Sequence, residues 1–149
     1  MVAGGNSRAE SVRRGLDAVP DSAEVILVHD AARPLASPEL FASVVAAVTE
    51  GGADGAIPGL AVSDTIKVVD DTQRITATLD RSTLMAVQTP QGFVAHLLRQ
   101  AHAGGAEATD DAALVEALGA TVRVVPGEPR NLKITTPADL RTAEQFLGG

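Results

Sequence analysis

Residues 24–34 read Glu-Val-Ile-Leu-Val-His-Asp-Ala-Ala-Arg-Pro, and this stretch decides the fold. Its first half, residues 24–28, is an apolar run of strand length, the kind that is buried on both faces of a parallel sheet. The run leads directly into the carboxylate of Asp30 and the guanidinium of Arg33. Because open α/β sheets bind their ligands at the carboxyl ends of strands, the stretch predicts a buried strand with a candidate site at its end.

Helix and strand signals alternate on both sides of this stretch. Ser7 with Glu10 forms a capping-box pattern before a helix over residues 9–19, and Ser37 followed by Pro38 starts a helix that runs to Glu50. Further signals predict strands over 55–58 and 122–125 and helices over 94–103, 110–118 and 137–147. Since no linker or repeat interrupts the pattern, we predict one α/β domain over residues 1–149.

Residues 61–88 have a different texture. Residues 64–69 and 74–77 alternate in polarity on either side of Asp-Asp-Thr-Gln at 70–73, which is typical of a turn. This pattern predicts a two-stranded arm that projects from the sheet.

The composition excludes several classes of function. The 149 residues include 12 Lys and Arg against 19 Asp and Glu, and a net charge of −7 argues against a broad surface for nucleic acid or membrane. The chain has no cysteine, which excludes disulfides, thiolate zinc sites and cysteine nucleophiles. With 3 Phe and no Tyr or Trp, it offers almost no platform for base stacking. No apolar run approaches the ~18 residues of a membrane span, and we expect a cytoplasmic protein.

The residues suited to chemistry are mostly cations and hydroxyls. Asp30 is suited to Mg²⁺ and Arg33 to a phosphate, although the two can equally pair with each other in a turn. Lys67, Arg81 and Lys133 lie beside small hydroxyl residues, as in phosphate sites, or they are solvated surface charges. The residue types thus favour an anionic ligand without deciding which cations hold it.

Other polar positions have two interpretations or none. Thr109 before Asp110 is either a hydroxyl ligand or part of a helix cap, and the segment 88–93, Gln-Thr-Pro-Gln-Gly-Phe, has no simple structural explanation. His96 and His102 do not share a helix face, so we expect both at the surface. No general base can be identified from spacing. A phosphate monoester nucleophile would need none, because its second pKa is near ~6 and it is mostly dianionic at neutral pH.

Six motifs in order resemble one enzyme family. They are Gly4-Gly5-x-x-Arg8-x-x-Ser11-Val12-x-x-Gly15-Leu16 with His29 to Pro34, Val62 to Lys67, Asp80-Arg81, Gln88 to Phe93, Thr109 to Ala112, and Asn131-x-Lys133-Ile134-Thr135-Thr136-Pro137-x-Asp139-Leu140. Together they resemble the 2-C-methyl-D-erythritol 4-phosphate cytidylyltransferases of the non-mevalonate isoprenoid pathway. The resemblance extends over essentially the whole chain.

The resemblance implies an activity and a fold. It implies transfer of CMP from CTP to methylerythritol phosphate with release of pyrophosphate, in a nucleotidyltransferase that requires Mg²⁺. The fold would be a Rossmann-like three-layer sandwich with a projecting β-arm, and the arm, roughly residues 62–88, would join two subunits of a homodimer.

The resemblance also assigns roles to individual residues. Asp30 would bind the metal and the nucleotide and would be catalytic together with Lys133. The residues near the nucleotide would be Gly5, Asn6, Ser11, Asp30 and Ala31, where Asn6 replaces an acidic residue of some relatives. The sugar phosphate would contact Arg33, Thr65, Arg81, Thr109 and Lys133, with Arg81 reaching the partner's site.

Two further expectations concern the extent of the activity. The family begins with a strand and a Gly-rich loop whose Arg and Lys hold the triphosphate, and residues 1–149 contain no such segment. We therefore expect an amino-terminally truncated member that has little activity alone. The alternatives are a cytidylyltransferase for ribitol 5-phosphate or a related polyol phosphate, and a non-catalytic fragment that binds a sugar phosphate.

Overall fold

A computed structural model describes residues 1–105 and 108–148. Its strands are β1 (Val25–Val28), β2 (Gly55–Ala61), β3 (Lys67–Val69), β4 (Ile75–Thr78), β5 (Met85–Val87), β6 (Gln91–Val94) and β7 (Val122–Pro126). Its helices are α1 (Arg8–Asp17), α2 (Pro38–Thr49), α3 (Ala95–Ala103), α4 (Asp111–Glu116) and α5 (Pro137–Leu147). The alternation predicted from the sequence is confirmed.

The central sheet is mixed. β2 pairs with β7 in parallel on one side, and on the other side it pairs antiparallel with β6 through its first half and with β5 through its second half. β1 pairs antiparallel with β6, so the prediction of a parallel neighbour for β1 is wrong. An apolar run indicates burial and carries no information on the direction of the adjacent strand.

Helices cover both faces of this sheet. Along β1, Ile26 and Val28 pack with α1, α3 and α4, whereas Val25 and Leu27 pack with α2. Successive side chains of a strand point to opposite faces, so the apolar run 25–28 supplies two separate cores. Only Ile26 of the run is fully buried, and the other three are half-buried. The three layers of helix, sheet and helix are those expected.

The helix starts follow local side-chain chemistry. In α2 the Ser37 side chain accepts a hydrogen bond from the backbone N–H of Leu40, and α5 begins with a complete capping box of Thr136 and Asp139. In α1 the box is incomplete, because the Glu10 carboxylate accepts from the backbone of Asn6 instead of Ser7. None of the helices described is long and apolar enough to cross a membrane.

The arm is shorter than the sequence predicts. β3 and β4 form a separate two-stranded antiparallel sheet in which every residue is exposed. Residues 85–87, which the prediction placed in the arm, pair instead with β2 of the central sheet. Alternating polarity is the same in an arm strand and in an edge strand of the main sheet, so the sequence does not distinguish them.

Candidate functional site

A cavity of about 170 Å³ lies where the carboxyl end of β1 meets the start of β6 and the loop after β7. This is the edge at which residues 24–34 predicted a site. The residues that line it are mostly charged or polar: Arg8, Asp30, Arg33, Val87, Gln88, Thr89, Gln91, Thr109, Asp110 and Lys133.

The Asp30 carboxylate lies at the centre of the charged groups. Its Oδ2 is 3.0 Å from Lys133 Nζ and 3.8 Å from Arg33 Nε, and its Oδ1 is 4.0 Å from Arg8 Nε. The Asp30 side chain is 19% exposed and that of Lys133 is 48% exposed, so solvent reaches the pair. Three cations from distant parts of the chain thus converge on one partly exposed carboxylate.

Arg33 combines the two roles that the sequence left open. Its backbone N–H donates to the carbonyl of Asp30 in a tight turn, and its side chain lines the cavity. Nη1 donates to the carbonyl of Asn131 at 2.8 Å, while Nε is buried and has no hydrogen-bond partner within residues 1–105 and 108–148. Burial lowers the pKa of Arg33 and the charge of Asp30 opposes that shift, but a guanidinium remains protonated.

The segment 88–93 forms the buried support of the site. Gln88 donates to the carbonyls of Glu128 and Asn131, and the buried Asn131 side chain donates to the carbonyl of Thr89 at 2.8 Å. The Thr89 hydroxyl accepts from the backbone N–H of Asp30 at 3.0 Å. These bonds attach the loops that carry Asp30, Arg33 and Lys133 to one another, which explains why polar residues are buried there.

Two residues of this region were missed or misplaced by the sequence analysis. Arg8 lines the cavity and donates to Asp111 Oδ2 at 2.6 Å, and Asp111 is fully buried. His102 is 2% exposed and lies 2.9 Å from Asp111 Oδ1, so its prediction as a surface histidine is wrong. His96 is exposed, as expected. Helix spacing alone does not show that α3 packs against α4 and brings His102 to Asp111.

Burial opposes the charge on Arg8, but its partners reverse the effect. Desolvation would lower the pKa of Arg8, whereas the hydrogen bond that Arg8 donates to Asp111 and the charges of Asp111 and Asp30 outweigh it and raise the pKa. Arg8 is therefore a fixed positive charge at the cavity wall.

The structure brings together only part of the predicted site. Asp30, Arg33, Thr109 and Lys133 line the cavity, with Asp110 capping α4 beside Thr109. Ala31 is exposed next to Asp30. Gly5, Asn6 and Ser11 lie around the start of α1, where the backbone N–H of Gly5 donates to the Ser11 hydroxyl at 2.9 Å, and they do not line the cavity.

The remaining predicted residues lie near the arm. Thr65 and Arg81 are exposed and do not line the cavity, and Arg81 donates to the carbonyl of Ser63. Lys67 donates to the Thr78 hydroxyl within the arm itself. Within the described part of this chain, these side chains do not line the cavity.

A larger cavity, of about 510 Å³, lies between α1 and α3, but most of its cations already serve the fold. Arg14 pairs with Glu10 at 2.6 Å, and Arg99 donates to the carbonyls of Leu16 and Val19 at the end of α1. The smaller cavity is therefore the better candidate, because its cations face a partly exposed space.

Fold and site define the class: a three-layer α/β protein with a cation-lined cavity at the edge of a mixed sheet. The sequence matches the family described as IspD, 2-C-methyl-D-erythritol 4-phosphate cytidylyltransferase, over residues 1–149. A protein of that name from Rhodococcus opacus is 57% identical over 99% of this chain, and the match covers 65% of its own length. One from Nostoc punctiforme is 52% identical over 99% of this chain, and the match covers 66% of its length.

Solved structures agree with this match. The 2-C-methyl-D-erythritol 4-phosphate cytidylyltransferase of Thermus thermophilus aligns with a TM-score of 0.86 at 42% identity, over 99% of this chain and 73% of that one. The 4-diphosphocytidyl-2C-methyl-D-erythritol synthase of Anaerococcus prevotii aligns with a TM-score of 0.90 at 33% identity, over 99% and 69%. The chain belongs to the 2-C-methyl-D-erythritol 4-phosphate cytidylyltransferase family. It spans slightly less than two thirds of the curated relatives named above.

Proposed function

We propose that this protein transfers CMP from CTP to 2-C-methyl-D-erythritol 4-phosphate and releases pyrophosphate. Family membership supports the reaction, and the observation that carries it to this chain is the convergence of Arg8, Arg33 and Lys133 on Asp30. The family resemblance favours this acceptor over ribitol 5-phosphate.

The proposed chemistry suits a site with cations and no evident base. A phosphate oxygen of the acceptor forms a bond to the α-phosphorus of CTP, and the bond from that phosphorus to the pyrophosphate oxygen breaks. The nucleophile is already mostly dianionic at neutral pH, so alignment and positive charge supply most of the catalysis. Arg33 offers its unpartnered Nε–H to a phosphate oxygen, and Lys133 offers an ammonium group at the exposed side of the cavity.

Magnesium belongs to the same proposal. Within the described part of the chain there is no cluster of three or more His, Asp or Glu residues that would hold a metal alone. Mg²⁺ in nucleotide enzymes commonly binds one or two carboxylates together with substrate phosphates and water, and the single carboxylate of Asp30 fits that mode. When bound, the ion would neutralise charge on the triphosphate.

The proposal also includes a set of nucleotide contacts and a second subunit. Gly5, Asn6, Ser11 and Ala31 are proposed nucleotide contacts on the basis of the family motif. A homodimer through the arm is supported by exposed apolar side chains there, among them Val69 and Ile75 at 45% and 64% exposure. In such a dimer, Thr65 and Arg81 would serve the partner's site. A cytoplasmic location and the lack of nucleic-acid partners stay predictions from composition.

The decisive experiment is Mg²⁺-dependent pyrophosphate release from CTP, with methylerythritol phosphate and ribitol 5-phosphate assayed in parallel. We expect slow release with the first acceptor, in line with the low activity expected from the sequence, a further decrease in Lys133→Met, and no change in Arg141→Ala, which removes an exposed cation from α5. Release with ribitol 5-phosphate alone would replace the acceptor. A folded protein that binds methylerythritol phosphate in calorimetry but neither binds CTP nor releases pyrophosphate would overturn the transfer reaction.

A further inference from the structure

Arg8 is a cation at an unfavourable place in its helix. It is the first residue of α1, where the helix dipole disfavours positive charge. Its guanidinium lies between two carboxylates, with Nη2 2.6 Å from Asp111 Oδ2 and Nε 4.0 Å from Asp30 Oδ1. The side chain is 39% exposed and lines the cavity. The charge of Arg8 is therefore balanced by carboxylates outside its own helix, Asp111 at the start of α4 and Asp30 in the cavity wall.

Asp111 is held from two sides by residues of two other helices. It is fully buried, its Oδ2 accepts from Arg8 of α1, and its Oδ1 accepts from His102 Nε2 of α3 at 2.9 Å. A carboxylate can be buried at acceptable energetic cost when its oxygens accept hydrogen bonds, and here each oxygen has one partner. The His102 ring is 2% exposed, so it fixes the orientation of the carboxylate from inside the core.

This arrangement leaves part of the Arg8 fork available. Among the residues that the structure describes, Asp111 is the sole hydrogen-bond acceptor for the Arg8 guanidinium. The other N–H groups remain for a ligand in the cavity, and an arginine fork matches two phosphate oxygens. Arg8 and Arg33 stand beside opposite oxygens of Asp30, so a phosphate in the cavity could contact both guanidinium groups.

We propose that Arg8 is an additional phosphate-binding residue of this site, and that Asp111 and His102 are positioning residues that hold its guanidinium toward the cavity. The proposal rests on the proposed function for the identity of the organic ligand. The inference that a phosphate binds here at all depends only on the positions of Arg8 and Arg33 around Asp30.

The test is a double-mutant cycle on ligand affinity. Calorimetry with methylerythritol phosphate and with inorganic pyrophosphate should show Arg8→Ala weakening binding by about tenfold or more, and His102→Leu by about three- to tenfold. If His102 acts through Arg8, the double variant binds no more weakly than Arg8→Ala alone. His102→Gln, which keeps an amide donor on a side chain of similar reach, should recover most of the wild-type affinity.

Controls separate positioning from folding. Arg8→Lys keeps the charge beside Asp111 and should preserve the melting temperature while still weakening binding, since lysine cannot fork. Leu98→Ala truncates a fully buried side chain of the same helix as His102 and should lower stability without changing affinity at a temperature where the variant is folded.

Each remaining outcome is decisive. Unchanged affinity in Arg8→Ala, additive losses in the double variant, or no binding of either probe by the folded wild-type protein would overturn the inference. Binding of pyrophosphate without methylerythritol phosphate would count against the proposed function, and the same cycle run with pyrophosphate would still decide the role of Arg8.

Discussion

Lys133 makes the shortest ion pair with the Asp30 carboxylate, 3.0 Å from Nζ to Oδ2, yet its side chain is 48% exposed. Exposed ion pairs contribute little to stability, so this lysine should matter for binding more than for folding. We expect Lys133→Met to weaken the binding of methylerythritol phosphate by about tenfold or more, with the melting temperature almost unchanged. Calorimetry and thermal melts would check this, with Arg141→Ala as the control. A large drop in melting temperature would instead make Lys133 a structural residue.

Asp139 gives a pH-dependent prediction. Its carboxylate accepts from the backbone N–H groups of Thr135 and Thr136 and from the Thr135 hydroxyl, and the bond from the Thr135 backbone is the largest cause that lowers its pKa from 3.8 to about 2. Because the folded pKa lies below the unfolded one, the stabilisation from this cap is complete above about pH 4 and is lost as pH falls toward 2.

Carboxyl-detected NMR would check the Asp139 prediction. The Asp139 resonance should titrate near pH 2, well below an exposed aspartate. The stability difference between the wild type and Asp139→Asn should be constant above about pH 4 and should shrink as pH falls from 4 toward 2. A midpoint near 4 for Asp139 would contradict the prediction.

Among individual site residues, the sequence analysis identified those that follow a strand and missed those that are brought together by helix packing. Asp30 was found because it lies in the loop just after an apolar strand run, and that position can be identified from sequence. The ion pair of Arg8 with Asp111 joins residues 103 positions apart. Their contact depends on how α1, α3 and α4 pack on the sheet, and no local pattern encodes that packing.

At the scale of the elements, α2 packs closely on the sheet because residue 92 of β6 is a glycine and has no side chain. A Cβ added at Gly92 of β6 would lie 2.6 Å from Val44 Cγ1 and 2.8 Å from Leu27 Cδ2. We therefore expect Gly92→Ala to destabilise the protein by about 1–3 kcal/mol, the range for overpacking in a core. Urea unfolding would measure it.

Gly15 is the matched control for Gly92. It lies inside α1, and an added Cβ would meet no atom within 4 Å. Gly15→Ala should therefore stabilise the protein by about 0.5–1 kcal/mol through helix propensity. Equal effects of the two substitutions would contradict the packing argument.

The elements themselves could be predicted better than their arrangement. The cap at Ser37 and the helix start at residue 137 were predicted from sequence, and both agree with the observed starts of α2 and α5. The antiparallel pairing of β1 with β6, and of residues 85–87 with β2, was not predicted. Strand partners are set by long-range contacts, whereas caps are set by neighbours within four residues.

At the scale of the whole molecule, the local charge at the site differs in sign from the net charge of the chain. The chain has a net charge of −7, yet Arg8, Arg33 and Lys133 come together around Asp30. An acidic surface disfavours adventitious polyanions, while the local cluster is the part of the molecule that we propose holds a phosphate ligand. Composition argues against a broad nucleic-acid surface, and that stays a prediction, whereas the grouping of Arg8, Arg33 and Lys133 is visible only in the fold.

The arm gives the prediction for the assembled molecule. Val68 and Ile75 are 40% and 64% exposed on β3 and β4, and two charges placed there should prevent association through this surface. In sedimentation velocity we expect the wild type as a dimer and the double variant Val68→Lys with Ile75→Lys as a monomer. Because Arg81 is proposed to serve the partner's site, that monomer should also bind methylerythritol phosphate more weakly. Arg81→Ala should stay dimeric and lose the same affinity, which separates association from ligand contact. A wild type that is monomeric at micromolar concentration, or a double variant that remains dimeric, would show that the arm does not join two subunits.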